Sequence, residues 1–253
     1  MKKLTIFLLI ATLMFSVLLA SCDGASVEGG SESTEDAKPE SPIEGCTGVE
    51  FMLNQDGTCY SLARIGKCTA TDIVVPSTYN NLPVVAIGNY VFRNCADLKS
   101  VVIPDSVQSI GLNAFENCTA LESVVMEGVV SIDLGTFSGC TSLKSVSISD
   151  DIEYVSFRAF DGCTSLNYTV SEGGKYLGNT ENPYAVLVAV EDANVTSFKV
   201  NSGAKVLINR LFSDYTQLTS VEIPASVKTI GANAFEGCRN LESVKIEEGS
   251  QMK

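Results

Sequence analysis

The apolar residues of this chain recur with a period of 22 or 23 residues. Each unit reads F-x-x-C-x-x-L-x-S-V-x-I-P, followed by a short apolar stretch that ends in I-G and by N-A-F, where the next unit begins. A fixed period of this length predicts a solenoid, because each unit buries its apolar face only against its neighbours. The phenylalanine column is Phe92, Phe115, Phe137, Phe160, Phe212 and Phe235, and the leucine column, six residues later, is Leu98, Leu121, Leu143, Leu166, Leu218 and Leu241.

Each unit contains a six-residue segment, called a hexad here, with the pattern of a strand. Its first, fourth and sixth positions are apolar, as in Leu98, Val101 and Ile103. This pattern predicts one strand per coil, with all the strands parallel. The hexads are Ala70–Val75, Leu98–Ile103, Leu121–Met126, Leu143–Ile148, Leu166–Ser171, Val195–Val200, Leu218–Ile223 and Leu241–Ile246. The fifth is the weakest, because Thr169 and Ser171 occupy apolar columns.

The rest of each unit returns the chain to the start of the next strand. Pro104 and Pro224 each end a hexad strand, because proline has no N–H to donate. The apolar segment after the proline is expected to be extended or irregular. The N-A-F-x-x-C segment is expected to form a single helical or 3₁₀ turn that places the phenylalanine in the core. The predicted fold class is therefore a β-rich solenoid of stacked parallel strands with short helical or 3₁₀ turns.

The folded part divides into a cap, residues 46–69, and a solenoid, residues 70–253. In the cap, Asn54–Gly57 separates two half-apolar runs, which predicts a hairpin that covers the edge of the first coil. Two longer spacings predict bulges: a polar turn at Ser77–Pro83 and an insertion at about Gly173–Asn194. The insertion belongs either to a binding face or to a degenerate spacer. No polar cap follows Ile246, so either the charged residues after it blunt the edge or the natural protein continues.

The N-terminus predicts export and lipid anchoring. Lys2 and Lys3 precede an apolar run that is too short for a comfortable membrane span, so residues 1–21 are expected to be a signal peptide. The sequence Leu-Ala-Ser before Cys22 resembles a bacterial lipobox, which implies cleavage before Cys22 and its lipidation. Residues 22–45 lack aromatic residues and are expected to be a disordered tether. The expected location is the bacterial envelope, surface-exposed or facing the periplasm. Asp23, directly after Cys22, does not decide which membrane holds the lipid anchor.

The composition of the chain limits which partners and which catalytic or metal sites are expected. The chain has 17 basic and 30 acidic residues, and without Lys2 and Lys3 its net charge is −15. Nucleic acid is therefore not an expected partner, because binding to phosphates needs a basic surface. The absence of histidine excludes Ser-His-Asp and Cys-His catalysis and H-E-x-x-H zinc sites. A calcium site at Asp150 and Asp151 is conceivable, but no calcium-binding pattern surrounds them, and neither a metal nor a cofactor is expected.

The cysteines fall into three groups. Cys22 is the expected anchor. A repeat column could be a disulfide or metal ladder, but Tyr215 in the same column favours buried, reduced thiols. In the cap, one disulfide is expected among Cys46, Cys59 and Cys68, with its pairing unassigned. The column consists of Cys95, Cys118, Cys140, Cys163 and Cys238.

The second, third and fifth positions of the hexads point outward and form the candidate binding face. Two interpretations of this face stay open. Either it forms hydrogen bonds to a partner, or its small residues are there because they fit a crowded sheet surface. No aromatic stripe supports a platform for carbohydrate. The candidate residues are Lys99, Ser100, Val102, Glu122, Ser123, Val125, Lys144, Ser145, Ser147, Thr219, Ser220, Glu222, Glu242, Ser243 and Lys245.

Two strings carry a family resemblance: LKSVVIPDSVQSIGLNAFENC and LTSVEIPASVKTIGANAFEGC. Together with TDIVVPSTYNNLPVVAIGNYVFRNC, they resemble the BspA-like leucine-rich repeat over roughly residues 46–250. This resemblance implies a surface or secreted protein of the kind found in bacteria and some protozoa, several of which are adhesins. It implies no catalytic residues.

The expected function is a non-catalytic, adhesin-like module on a bacterial lipoprotein. Its expected partners are host matrix proteins or bacterial surface proteins or polymers, and the membrane through the lipid anchor. One alternative is a structural envelope component that self-associates, suggested by the uncapped edge near Ile246. A less favoured alternative is a hydrolase whose site lies within Gly173–Asn194.

Overall fold

The structure, a computed structural model, describes residues 42–250 and Met252. The predicted signal peptide, Cys22 and nearly all of the predicted tether lie outside these residues. Within them there is no helix, so none that could cross a membrane. The strands are β1 (Cys46–Thr47), β2 (Glu50–Leu53), β3 (Tyr60–Arg64), β4 (Lys67–Cys68), β5 (Asp72–Val74), β6 (Thr78–Tyr79), β7 (Leu82–Ile87), β8 (Ser100–Val102), β9 (Ser109–Ile110), β10 (Ser123–Met126), β11 (Ser131–Ile132), β12 (Ser145–Ile148), β13 (Tyr154–Val155), β14 (Thr169–Ser171), β15 (Gly174–Leu177), β16 (Val186–Val190), β17 (Ser197–Lys199), β18 (Val206–Leu207), β19 (Ser220–Ile223), β20 (Thr229–Ile230) and β21 (Ser243–Ile246).

The hexads form two parallel sheets. The first hexad sheet has the order β5-β8-β10-β12, and the second has the order β17-β19-β21. Equivalent positions lie side by side, so that Ile73, Val101 and Val124 are aligned and buried. The repeat makes this register unique, because a shift by one residue would turn the apolar positions outward. The predicted solenoid of stacked parallel strands is confirmed.

The return segments are more regular than the sequence predicts. Strands β9, β11 and β13 pair in parallel and continue a sheet of order β2-β3-β7-β9-β11-β13. In this sheet β2 pairs antiparallel with β3, as does β6 with β7, and the other pairs are parallel. Strands β16, β18 and β20 form an equivalent parallel set. Each coil thus contributes to two sheets, with its apolar residues between them.

The expected helical or 3₁₀ turn is wrong. Asn113 and Asn117 have positive φ angles of 51° and 59°, and Gly139 occupies the second of these positions in the next coil with φ 75°. These left-handed residues interrupt any helix, since asparagine and glycine tolerate that conformation. Alternate N–H groups therefore bond within the coil and to the next coil: Glu116 N–H donates to the Asn113 carbonyl (3.1 Å), and Phe115 N–H donates to the Thr136 carbonyl (2.8 Å).

The phenylalanine column forms a stack of parallel rings. The ring centroids of Phe92, Phe115, Phe137 and Phe160 are 4.8, 5.3 and 5.5 Å apart in turn, with interplanar angles of 3°, 10° and 7°. Phe212 and Phe235 repeat this arrangement at 5.3 Å. Aromatic pairs at such distances stabilise the fold by more than the burial of their apolar area alone.

The stack of coils is broken between residues 166 and 194. Instead of a parallel strand, the fifth hexad provides β14, which pairs antiparallel with β15, and β15 pairs antiparallel with β16. The fifth hexad lacks two apolar residues, so it does not join the hexad sheets. The predicted insertion at Gly173–Asn194 lies within this break, and it contributes Tyr176, Leu177 and Leu187 to the core.

The cap covers the first coil. Strands β2 and β3 form the expected hairpin, whose turn is held by Asn54 Oδ1, which accepts from the N–H of Thr58 (2.7 Å). Strand β3 pairs in parallel with β7, so the hairpin occupies the edge that a preceding coil would take. The disulfide joins Cys46 to Cys68, and Cys59 is buried. Ile43, near the end of the predicted tether, is buried against the same core. The polar turn at Ser77–Pro83 is the tip of the β6–β7 hairpin.

Replacement of a stacked phenylalanine should destabilise the solenoid. Phe137 is 0% exposed and contacts a ring on either side, so Phe137→Ala should lower the free energy of unfolding by about 3–5 kcal/mol. Phe157→Ala removes the same atoms from a ring that is 37% exposed and should cost less than about 1 kcal/mol. Urea unfolding followed by circular dichroism measures both, and equal losses would contradict the role of the stack.

Candidate binding surface

The predicted outward residues do not form one continuous face. The break at β14–β16 separates those on the first hexad sheet from those on the second. The first sheet and the residues just before its strands carry Lys99, Ser100, Val102, Glu122, Ser123, Val125, Lys144, Ser145 and Ser147; the second carries Thr219, Ser220, Glu222, Glu242, Ser243 and Lys245. These two groups therefore form two separate surfaces.

The first hexad sheet presents a row of exposed valines. Val74, Val102 and Val125 occupy the fifth hexad position, are aligned by strand pairing, and are 67%, 41% and 40% exposed. We call these three residues the valine strip. Val74 is absent from the predicted face, although its place in the first hexad is the signal that would have found it. Adjacent exposed apolar side chains on a soluble surface indicate an interaction site more strongly than scattered ones.

Polar groups flank the valine strip. Asp72, also missed by the sequence prediction, lies beside Ser100 in the third-position row and accepts hydrogen bonds from the hydroxyls of Ser100 and Thr71. These bonds, that of Ser100 foremost, lower the pKa of Asp72. In the second-position row, Lys144 Nζ lies 2.7 Å from Glu122 Oε2, and this hydrogen bond lowers the pKa of Glu122. Both carboxylates are thus held ionised at the rim of the apolar strip.

A groove of about 320 Å³ continues from the valine strip past β12. The predicted residues Val125, Ser145 and Ser147 line one side, and Asn179 and Thr180 line the other. The second wall is fixed at the edge of β12, because Ile148 N–H donates to the Gly178 carbonyl (3.0 Å) and Asn179 Nδ2 donates to the Ile148 carbonyl (3.0 Å). A binding face is one of the two roles that the sequence offers for the insertion, but no pattern identifies Asn179 and Thr180 as this wall.

The second hexad sheet is charged where the first is apolar. Lys199, Glu222 and Lys245 occupy its fifth-position row in register, and Lys245 Nζ lies 3.7 Å from Glu222 Oε1. The two sheets therefore share parallel pairing of equivalent positions and differ most clearly in the fifth-position row, which is apolar in the first and charged in the second. This difference makes the second sheet a natural control for the first.

The acidic pair at the end of β12 has a structural role. Asp150 Oδ1 accepts from Asn182 Nδ2 (2.7 Å), and Asn182 also donates to the Gly203 carbonyl (2.9 Å). Lys228 Nζ donates to the Asp150 carbonyl (3.0 Å) and lies 3.5 Å from Asp151 Oδ1. These contacts connect the two sides of the break. Among residues 42–250, no three or more acidic or cysteine side chains cluster to hold a metal.

The cysteine column hydrogen-bonds to the phenylalanine column. The Sγ atoms of Cys118, Cys140 and Cys163 donate to the carbonyls of Phe92, Phe115 and Phe137 at 3.0, 3.1 and 3.1 Å. Each thiol thus links its own coil to the preceding one without a disulfide. Tyr215 replaces a cysteine in this column and donates its hydroxyl to the Val190 carbonyl (3.1 Å).

Burial raises the pKa of four thiols in this column, those of Cys95, Cys140, Cys163 and Cys238. It raises the pKa of Cys95 to about 11 and that of Cys163 to about 12. The pKa of Cys140 is raised further, first by a hydrogen bond with Cys118 and then by burial. Because the thiolate is the nucleophile and the metal ligand, these four thiols are suited to packing and unsuited to either chemistry at neutral pH.

The sequence pattern of the BspA type leucine rich repeat region matches in six copies, over residues 66–180 and 189–252. The chain belongs to this family. BspA-type repeats here make a repeat scaffold of stacked coils. The unmatched residues between the two ranges lie in the insertion that breaks the stack.

Solved structures of other bacterial leucine-rich repeat proteins are similar to this chain. The Treponema pallidum protein TpLRR is 26% identical, with 81% of this chain and 70% of that chain covered and a TM-score of 0.38. A Bacteroides ovatus protein is 20% identical, with coverage of 78% and 69% and a TM-score of 0.45. A leucine rich cell surface protein of Faecalibacterium prausnitzii is 25% identical, with coverage of 81% and 77% and a TM-score of 0.30. No curated protein matches the chain.

The buried thiols predict a loss of stability at alkaline pH. Cys163 has a pKa of about 12 when folded, against an ordinary value of 9.0. The unfolded chain therefore loses this proton first, and the free energy of unfolding should fall as pH rises from about 9 towards 12, by up to about 1.4 kcal/mol per pH unit for one thiol. Urea unfolding at pH 8 and 10.5 measures this loss, which should be smaller in Cys163→Ala. An identical pH dependence in both proteins would contradict the assignment.

Proposed function

We propose that this protein is a non-catalytic, lipid-anchored binding module of the bacterial envelope. Its partners are host matrix proteins or bacterial surface proteins, which it holds through the first hexad sheet. The observation that carries this proposal is the valine strip, an aligned row of exposed apolar side chains in a repeat scaffold.

The surroundings of the valine strip support a protein partner. Protein interfaces combine an apolar centre with a polar rim. Here the strip is the centre, and the rim includes Asp72, Ser100 and the Glu122–Lys144 pair. The adjoining groove offers a recess for a side chain of the partner. These features together favour a folded or extended polypeptide.

The charge of the module supports a partner with a basic rim. The chain carries 30 acidic and 17 basic residues, and Glu127 beside the strip accepts from the hydroxyl of Ser147 at 3.1 Å. Opposite charge on the partner would steer the encounter and make its rate depend on salt. The same negative charge argues against nucleic acid.

Several observations support a non-catalytic role. The sequence contains no histidine, and Lys144, which lines the groove, is already bonded to Glu122. The insertion that the hydrolase alternative would require contributes buried apolar residues, among them Tyr176 and Leu187. The groove therefore offers hydroxyls without a histidine or an unpaired lysine to activate them.

The valine strip should be required for tight binding of the partner protein. In residues 23–253, the triple variant Val74→Ser, Val102→Ser and Val125→Ser should bind at least about tenfold more weakly, since each exposed valine loses part of its apolar contact. Surface plasmon resonance against a panel of purified matrix proteins and bacterial surface proteins measures this. The matched control is Lys199→Ser, Glu222→Ser and Lys245→Ser, which changes the same row of the second sheet.

The two triple variants separate the possible outcomes. Weaker binding by the valine variant alone would support the proposal, provided that both variants unfold at the wild-type urea concentration. No saturable binding by the wild type to any member of the panel would contradict it. Concentration-dependent self-association in sedimentation, lost in the valine variant, would instead favour a structural component of the envelope.

Cys22 should be required for the protein to be lipidated and anchored to the membrane. When the full chain is expressed in a bacterium with lipoprotein processing and fed an alkyne fatty acid, the wild type should be labelled and should sediment with membranes. Cys22→Ser removes the sulfur that carries the lipid and should abolish both. Cys95→Ser, in the repeat column, is the control. Labelling that persists without Cys22 would contradict the lipid anchor.

A further inference from the structure

The phenylalanine stack is interrupted at the break in the solenoid. Phe160 stacks on Phe137 with one face of its ring, and the next stacked pair of the column begins at Phe212. Beyond Phe160 lies a crevice of about 240 Å³, also lined by Phe157, Tyr168 and Ala189. In the intact coils, the ring of the following coil occupies the equivalent place.

The backbone hydrogen bonds between coils stop at the same point. Phe137 N–H donates to the Ala159 carbonyl (2.8 Å), and Gly139 N–H donates to the Asp161 carbonyl (2.7 Å). The equivalent donors one coil later are the N–H groups of Phe160 and Gly162. Within residues 42–250, neither has a backbone or side-chain acceptor.

The edge of the return strand is open as well. Ile132 accepts a hydrogen bond from Ser156 N–H (3.0 Å) in the next coil, and Val155 is the equivalent acceptor one coil later. Strand β13, which contains Val155, pairs only with β11 among the described strands. Val155 and Ser156 line the crevice, so the open edge and the open ring face belong to one site.

The crevice is aromatic with a charged margin: Asp161 and Lys175 line it, and two arginines flank the Phe157 ring. The guanidinium carbons of Arg158 and Arg210 lie 5.2 and 5.7 Å from the centroid of the Phe157 ring. Their carboxylate partners, Asp161 and Glu236, are 3.9 and 3.8 Å away, which is beyond hydrogen-bond distance. Both cations therefore retain donors for a ligand.

We propose that this crevice binds an extended peptide segment of a partner protein through one aromatic side chain. The ring of that side chain continues the phenylalanine stack on Phe160. The backbone carbonyls of the peptide accept hydrogen bonds from the N–H groups of Phe160 and Gly162, as those of a further coil would. This is strand addition to an open edge, in which backbone hydrogen bonds give affinity and a pocket for one side chain gives specificity.

The dimensions and the donors favour this class of ligand. A crevice of about 240 Å³ is smaller than the pockets of roughly 300–1,000 Å³ that enclose whole small molecules. Two N–H groups at the spacing of the coil-to-coil hydrogen bonds match the carbonyls of a peptide, and Arg158 and Arg210 suit an acidic residue next to the aromatic one. The site is distinct from the valine strip, which lies on the hexad sheet.

The chain contains no tryptophan, so a tryptophan probe can be observed directly. The probe is the peptide acetyl-Asn-Ala-Trp-Glu-Gly-amide, which copies the N-A-F-E-G segment of this chain's own repeat with tryptophan in place of phenylalanine. Addition of residues 23–253 should shift the tryptophan emission to shorter wavelength in a saturable manner. A peptide with alanine in place of tryptophan should compete at least about tenfold more weakly, because it cannot bury a ring.

Two alanine variants locate the binding. Ala189→Leu places extra atoms in the crevice without removing a packed group and should weaken probe binding at least about tenfold. Ala96→Leu makes the same change at an exposed turn position and should leave binding unchanged. Phe160→Leu tests the stack itself and should also weaken binding, with circular dichroism as the check on folding.

Each outcome bears on the proposal. The absence of a saturable shift, or equal binding by wild type and Ala189→Leu, would overturn it. Self-association that Ala189→Leu abolishes would assign the crevice to a second copy of the chain and would also overturn it. The serine variant of the valine strip should bind the probe normally, so failure of one site does not imply failure of the other.

Discussion

The fold depends on the register between neighbouring coils. Within the regular coils, each phenylalanine ring stacks on that of the preceding coil, and alternate backbone hydrogen bonds join the two coils. Neither interaction survives a shift of one residue, because a shift moves the ring out of the stack and turns the donors away. The left-handed residues at Asn113 and Asn117 make this exchange possible, since a helical turn would use those donors within the coil.

The sequence predicts what the repeat specifies and misses what depends on three-dimensional contact. The phenylalanine and leucine columns and the hexad strands follow from the period alone. The helical turn was wrong, because N-A-F-x-x-C does not reveal that its asparagines adopt positive φ. The burial of Tyr176 and Leu187 in the insertion could not be predicted, because no period marks them as replacements for the apolar residues missing from the fifth hexad.

The candidate surface shows the same division. Outward residues such as Ser100 and Val102 could be predicted, since alternation along a strand fixes the face of each residue. The division of that face into two sheets could not be predicted, because it follows from the antiparallel pairing of β14 with β15. The groove wall at Asn179 depends on a hydrogen bond to Ile148, 31 residues earlier in the chain. Only a folded structure brings these two residues together.

The effect of the break on the surface follows from how the coils of a repeat protein pack against each other. In a linear stack, each coil satisfies its neighbours and leaves few polar groups or apolar faces available. A position where the repeat deviates therefore adds recesses and open edges that the regular coils lack. Here the deviation opens a crevice beside Phe160 and builds a groove wall at Asn179, while Asn182 and Lys228 connect the two sides of the break. The insertion thus gives this chain surface features that its regular coils do not have.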